Sequence, residues 1–92
     1  MKQLFKVVAQ QEPTQVTKQD GSILNKCTIV LQEIGGKYEN SYVCQLLGNA
    51  AVCKFYPNDI VFAALRFQHS EYQGKFYNEI TVQDIISFSH HN

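Results

Sequence analysis

The sequence predicts an all-β fold, a five-stranded Greek-key barrel with one short helix between its third and fourth strands. Three observations carry that prediction. Apolar residues alternate with polar ones over several segments of strand length. Turn-forming residues separate those segments at Pro13, Asp20-Gly21, Gly35-Gly36, Gly48, Pro57-Asn58-Asp59 and Gly74. The one stretch that suits a helix, Ala50 to Phe55, has room for only about two turns. Ninety-two residues are expected to form a single domain, 1–92, with its core over about 4–88 and a tail at 89–92. A chain of this size sits near the lower end of what folds without help, so burial against a partner subunit is a useful addition.

The first strand is expected over Leu4 to Ala9, which is rich in β-branched and apolar residues, with a continuation at Thr14 to Thr17 beyond the interruption at Pro13. Lys18-Gln19-Asp20-Gly21-Ser22 supplies an Asp-Gly turn. The second strand follows from Ile23 to Ile34, with Cys27, Ile29 and Leu31 on its core face. Beyond Gly35-Gly36-Lys37 the third strand runs from about Tyr38 to Leu47, placing Tyr42, Cys44 and Leu46 inward and Val43, Gln45 and Leu47 outward. Asn49 is the expected cap of the helix through Phe55, and Pro57-Asn58-Asp59 ends that segment.

The fourth strand, Ile60 to Gln68, is apolar on both faces, with Ile60, Phe62 and Ala64 opposing Val61, Ala63, Leu65 and Phe67. One face lines the barrel and the other needs a cover, for which a subunit interface is preferred over a helix or a long loop. A hairpin with aromatic residues and a glycine at its tip, Glu71 to Tyr77, leads to the last strand, Ile80 to Phe88. The order β-β-β-α-β-β is the connectivity of the oligonucleotide-binding (OB) fold.

Eight basic and eight acidic residues give a formal net charge of zero. No long-range field attracts a polyanion, so any nucleic-acid site must be local. Cys27, Cys44 and Cys53 have neither zinc-ribbon spacing nor the number of a disulfide framework, and all three are expected in the core. No apolar run reaches the ~20 residues of a membrane span. Met1 to Glu12 lacks the pattern of a secretory signal, so the expected location is cytoplasmic. His90 and His91 make a poor metal site and stand outside the functional reading, whether native or appended. There is no phosphate loop, nucleophile elbow or zincin pair. His69 and Glu71 lie in one expected hairpin, but the neighbours His69 and Ser70 point to opposite faces, which disfavours a catalytic pairing. Neither an enzyme nor a cofactor nor a metal is expected.

Three segments resemble bacterial single-stranded DNA-binding proteins: Ser41 to Ala51, the Pro57-Asn58-Asp59-Ile60-Val61-Phe62 turn into a strand, and Glu71-Tyr72-Gln73-Gly74-Lys75-Phe76-Tyr77. More narrowly, the chain is similar to a branch of small, uncharacterised single-domain members without an acidic tail, in which an E-Y-x-G-[RK]-[WF]-Y hairpin is typical. The likeness spans about 4–88. It implies single-stranded DNA bound across the second and third strands and the loops between the first and second and between the fourth and fifth strands. Leu47 stands where the family often has a stacking aromatic, and Ser41, Val43 and Gln45 are not aromatic either.

A site of that kind needs aromatic faces for bases and cations for phosphates. Tyr72 is the first candidate, with Phe76 and Tyr77 beside it and Tyr38 next; one of Phe76 and Tyr77 is expected to point inward. Lys18, Lys26, Lys37 and Lys75, with Arg66, are the candidate phosphate contacts, expected to converge on one groove. The leading expectation is a noncatalytic single-stranded DNA-binding module of modest affinity, RNA being left open, assembled as a homodimer or homotetramer. The alternative is an OB-fold protein-interaction or assembly module that has lost nucleic-acid binding, favoured by neutral charge, by Leu47 and by the fourth strand being apolar on both faces. A weaker third is oligosaccharide binding on the same barrel face.

Overall fold

Alternation decides which side chains leave water, and the buried set follows it closely. Phe5, Val7, Cys27, Ile29, Leu31, Cys44, Leu46, Val61, Ala63, Leu65 and Val82 form the core, most of them fully inaccessible. Burying each large aliphatic or aromatic side chain among them contributes about 1.5–3 kcal/mol. An exposed ion pair contributes about 0–1 kcal/mol, so packing, not surface charge, holds these strands together.

The computed structural model describes residues 1–36 and 39–88. Its elements are β1 (Lys2–Gln10), β2 (Thr14–Thr17), β3 (Ile23–Glu33), β4 (Ser41–Leu47), α1 (Asn49–Val52), β5 (Ile60–Tyr72) and β6 (Lys75–Ser87). Lys37, Tyr38, the expected start of the third strand and the tail at 89–92 lie outside the described residues. The strand order β1-β5-β6-β4-β3 closes through a further β1–β3 pairing, and β2 extends from β3 outside the ring. The result is an OB-fold barrel, all antiparallel except where β4 meets β6 in parallel at Gln45 and Thr81.

The two ends of the barrel are closed differently. At one, Ala51 of α1 and Phe55 are buried against the core. At the other, Tyr42 stands edge-on between Phe5 and Phe67, with ring centroids 6.1 and 6.0 Å away, and its hydroxyl donates to Glu33 Oε1 at 3.0 Å. Tyr42 is therefore a half-buried inward residue, as its strand position predicts.

The helix is shorter than the sequence suggests, and Asn49 does not cap it. Gly48, at φ 66°, occupies the N-cap position without a side-chain bond, and Asn49 is already helical. Only one turn forms because Gln10 of β1 pulls the following residues straight. Its side-chain nitrogen donates to the Cys53 carbonyl at 2.8 Å, and its oxygen accepts from the Phe55 N–H at 2.7 Å. That bracket also leaves Cys53 exposed, whereas Cys27 and Cys44 are buried, which corrects the expectation of three core thiols.

The Pro57-Asn58-Asp59 break is a turn from Tyr56, whose carbonyl accepts from the Asp59 N–H at 3.0 Å. Proline at its second position and Asn58 at φ 73° fit a type II turn. The buried Asp59 carboxylate closes it by accepting from the Tyr56 N–H at 2.9 Å. The turn is tied to β1 by Asn58 N–H to the Val7 carbonyl and Val7 N–H to the Asp59 carbonyl, both 2.8 Å.

Candidate functional site

The outward positions of β3 and β4 form four cross-strand rows: Lys26 with Leu47, Thr28 with Gln45, Val30 with Val43, and Gln32 with Ser41. They face outward because the alternate residues Cys27, Ile29, Leu31, Cys44 and Leu46 fill the barrel. The row through Gln45 continues, since Gln45 pairs with Thr81 of β6 and Thr81 with Arg66 of β5. Directly paired residues present their side chains on the same face. Thr28, Gln45, Thr81 and Arg66 thus make one polar row across four strands.

Beyond Arg66 the paired strands β5 and β6 continue as an arm, closing at Tyr72 and Lys75. Gln73 and Gly74 form its two-residue turn, with φ of 52° and 78°. Positive φ at both central residues is the type I′ geometry, which matches the twist of the strands and favours glycine at the second position.

Register sorts the side chains of the arm. Gln68, Ser70 and Tyr72, with Glu79, Tyr77 and Lys75 opposite, share the face of Arg66 and Thr81. Phe67, His69 and Glu71, with Ile80, Asn78 and Phe76 opposite, continue the face that points into the barrel. The His69 and Phe76 rings lie 6.3 Å apart there. Phe76 and Tyr77 take opposite faces, as expected, with Phe76 on the one that continues into the barrel, but neither is buried: Phe76 is 71 % and Tyr77 48 % exposed. The reason is length, since both residues lie on the arm beyond the end of the core. Tyr72 is also freely exposed, at 65 %.

The cations do not meet at one point. Lys18 belongs to the β2–β3 hairpin, which leaves the Lys26–Leu47 end of the face. Lys75 closes the arm, which leaves the opposite, Gln32–Ser41 end. Lys26 lies on the face itself, and the Arg66 guanidinium sits where the face meets the arm. With the Gln68 amide turned so that its oxygen faces Arg66, that guanidinium donates to it at 2.6 and 2.9 Å, a neutral partner that leaves its charge in place. The β2–β3 turn is held by Asp20, whose Oδ1 accepts from the Ser22 N–H at 2.9 Å and from its hydroxyl at 2.6 Å. Those bonds keep the Asp20 carboxyl below its usual pKa.

A depression of about 260 Å³ opens beside the face, lined by Glu12, Thr14, Lys26, Thr28 and Gln45. A larger cleft of about 420 Å³ lies between the β1–β2 link and the segment from α1 to Pro57, and it holds none of the expected site residues. Among the described residues no group of three or more metal-ligating side chains occurs, and no helix is long and apolar enough to cross a membrane. The polar row of Thr28, Gln45 and Thr81 was not evident from the sequence. Its signal is the β4–β6 pairing, a non-local contact that no spacing rule predicts.

A closed ring of this order, with one helix at an end and a hairpin leaving each end of the β3–β4 face, defines an OB-fold protein. Among solved structures the chain is similar to the second OB-fold domain of replication protein A from Methanococcus maripaludis, determined by solution NMR. The two share 20% sequence identity and superpose with a TM-score of 0.73 over 97% of this chain and 83% of that chain. No protein-family model matches the sequence, and no curated protein is similar to it.

Proposed function

We propose that this protein is a noncatalytic OB-fold module that binds single-stranded nucleic acid, DNA in the first instance, with modest and sequence-independent affinity. The observation that supports this most is the continuity of one face. The row from Thr28 through Gln45 and Thr81 to Arg66 joins the outer surface of β3–β4 to the side of the arm that bears Tyr72, Tyr77 and Lys75. A strand lying along that surface meets rings for its bases and cations for its phosphates, the two elements of sequence-tolerant binding. Phe76 stacks from the other side of the arm, so it is a secondary contact.

The likeness to an OB-fold domain of a replication protein agrees with this function. Aliphatic Val43 lies within the face and aliphatic Leu47 at one end of it, which keeps the affinity modest and favours, as a second reading, a protein-interaction module. Titration of fluorescent oligo-dT at low and moderate salt separates the two. Salt-sensitive binding is expected, with Tyr72→Ala weakening it by about 1–3 kcal/mol. No binding at low salt would rule out strand binding in favour of protein recognition.

A further inference from the structure

On the far side of the ring from β3 and β4, the outer surface of β1, β5 and β6 has an order of its own. Phe62 pairs with Leu4 on one side and with Ile86 on the other. These three form a continuous apolar row, 47, 38 and 53 % exposed from Leu4 to Ile86. The next row carries Lys6, Ile60 and Phe88, where Lys6 pairs with Ile60 and the Phe88 N–H donates to the Ile60 carbonyl at 3.0 Å. The row on the other side of Phe62 is Lys2, Ala64 and Asp84. Its charges sit on its outer strands, Lys2 on β1 and Asp84 on β6.

Within one molecule those two charges are two strand spacings, about 10 Å, apart. They are too far apart to pair. Their placement has a different consequence when a second copy faces the first across a twofold axis parallel to β5. That operation lays β1 of each copy over β6 of the other and keeps each row in its own plane. Phe62 then meets Phe62, Leu4 meets Ile86, and Lys2 meets Asp84, each of the last two contacts occurring twice. Lys6 comes over the Phe88 ring, a favourable cation–π placement. Packed sheets lie about 10 Å apart, a gap that a lysine stem and a carboxylate together span.

We infer that this surface is a twofold interface between two copies of the chain, with Leu4, Phe62 and Ile86 at its centre and Lys2 of each copy paired with Asp84 of the other. An isologous contact requires a patch complementary to itself. Opposite charges at the two ends of one register row meet that requirement, and a partner of unrelated sequence gives no reason for it. The interface also covers the second apolar face of β5, which a strand exposed to water would not retain. It leaves the β3–β4 face open and stops one register row short of Arg66 and Thr81, where the proposed strand-binding row begins.

Sedimentation velocity over a concentration series tests the inference on the intact chain. The parent is expected at twice the 10.5 kDa protomer mass. Lys2→Glu and Asp84→Lys should each raise the dimer dissociation constant about tenfold, because each substitution sets like charges together twice. The double variant Lys2→Glu/Asp84→Lys should return the constant to near the parent value. Phe62→Glu, whose folding is checked by circular dichroism, should raise it about a hundredfold. A parent that stays monomeric throughout, or a dimer in which the double variant does no better than the singles, would overturn it.

Discussion

The Tyr42 hydroxyl joins a carboxylate at the mouth of the barrel, and the pair has a pH signature. Glu33 is held below its usual pKa first by a hydrogen bond from the Asn40 side chain and then by that from Tyr42. Tyr42 is pushed above its usual value by burial first and by the Glu33 partner next. A carboxyl with a depressed folded-state pKa stabilises the fold above its unfolded pKa, and that contribution is lost as pH falls through the folded value. Tyrosine runs the other way, its contribution being present below its unfolded pKa and lost as pH rises through the folded one. Tyr42→Phe should therefore raise the Glu33 pKa toward the ordinary carboxylate value without reaching it, because Asn40 remains. Carbon-detected NMR titration of the Glu33 carboxyl reads this directly, and an unchanged titration would mean that the bond to Tyr42 is absent in solution. The cysteines show the limit of local inference at the same scale. Burial raises the Cys44 thiol to a pKa of about 11, as an alternating inward position suggests, whereas Cys53 is exposed because a distant glutamine straightens its backbone.

At the scale of elements, the arm is where local chemistry speaks most clearly. Gln73 and Gly74 both take positive φ, yet only glycine does so without steric cost. Gln73→Asn, a residue better suited to the first position of a type I′ turn, should strengthen the arm. Gly74→Ala should weaken it by about 1–2 kcal/mol, the cost of placing a Cβ in the left-handed region. Among the described residues, none beyond its two chain neighbours comes within 4 Å of the site such a Cβ would occupy, so the cost is conformational and not a clash. Amide exchange should show both effects in residues 68–79 and leave Ile29 and Leu31 of the core unchanged; equal changes in core and arm would contradict an arm that opens independently. The same turn explains what was legible beforehand. Strong turn residues and clean alternation placed the strands and the inward set of β3 and β4, because those signals act within a few residues. The helix end, the length of β5 and the β4–β6 seam depend on Gln10, on hairpin pairing out to Tyr72 and on the Gln45–Thr81 contact. Those are tertiary causes. For the same reason the aromatic candidates could be named while their faces could not, and the lysines expected in one groove separate to the two ends of β3–β4.

For the molecule as a whole, zero net charge means that attraction to a polyanion must arise from a few contacts, and salt dependence can count them. Among the described residues, Lys18, Lys26, Arg66 and Lys75 are the cations that the two hairpins and the face between them present, while Glu12 beside the face and Glu79 on the arm oppose them. With three or four phosphates neutralised at about 0.7 counterions each, log K against log salt should have a slope of about −2 to −3. The slope separates the roles of neighbouring residues that a single affinity cannot. Lys75→Gln should make it shallower by about 0.7, because one phosphate contact is lost. Tyr72→Ala should lower affinity by about 1–3 kcal/mol at every salt concentration and leave the slope as it was, because a stacked ring releases no counterion. If Lys75→Gln leaves the slope unaltered, the strand does not reach the arm, and the binding surface contracts to β3, β4 and the β2–β3 hairpin. If Tyr72→Ala changes the slope instead, the ring acts by positioning Lys75 across the turn, and the two residues form one contact.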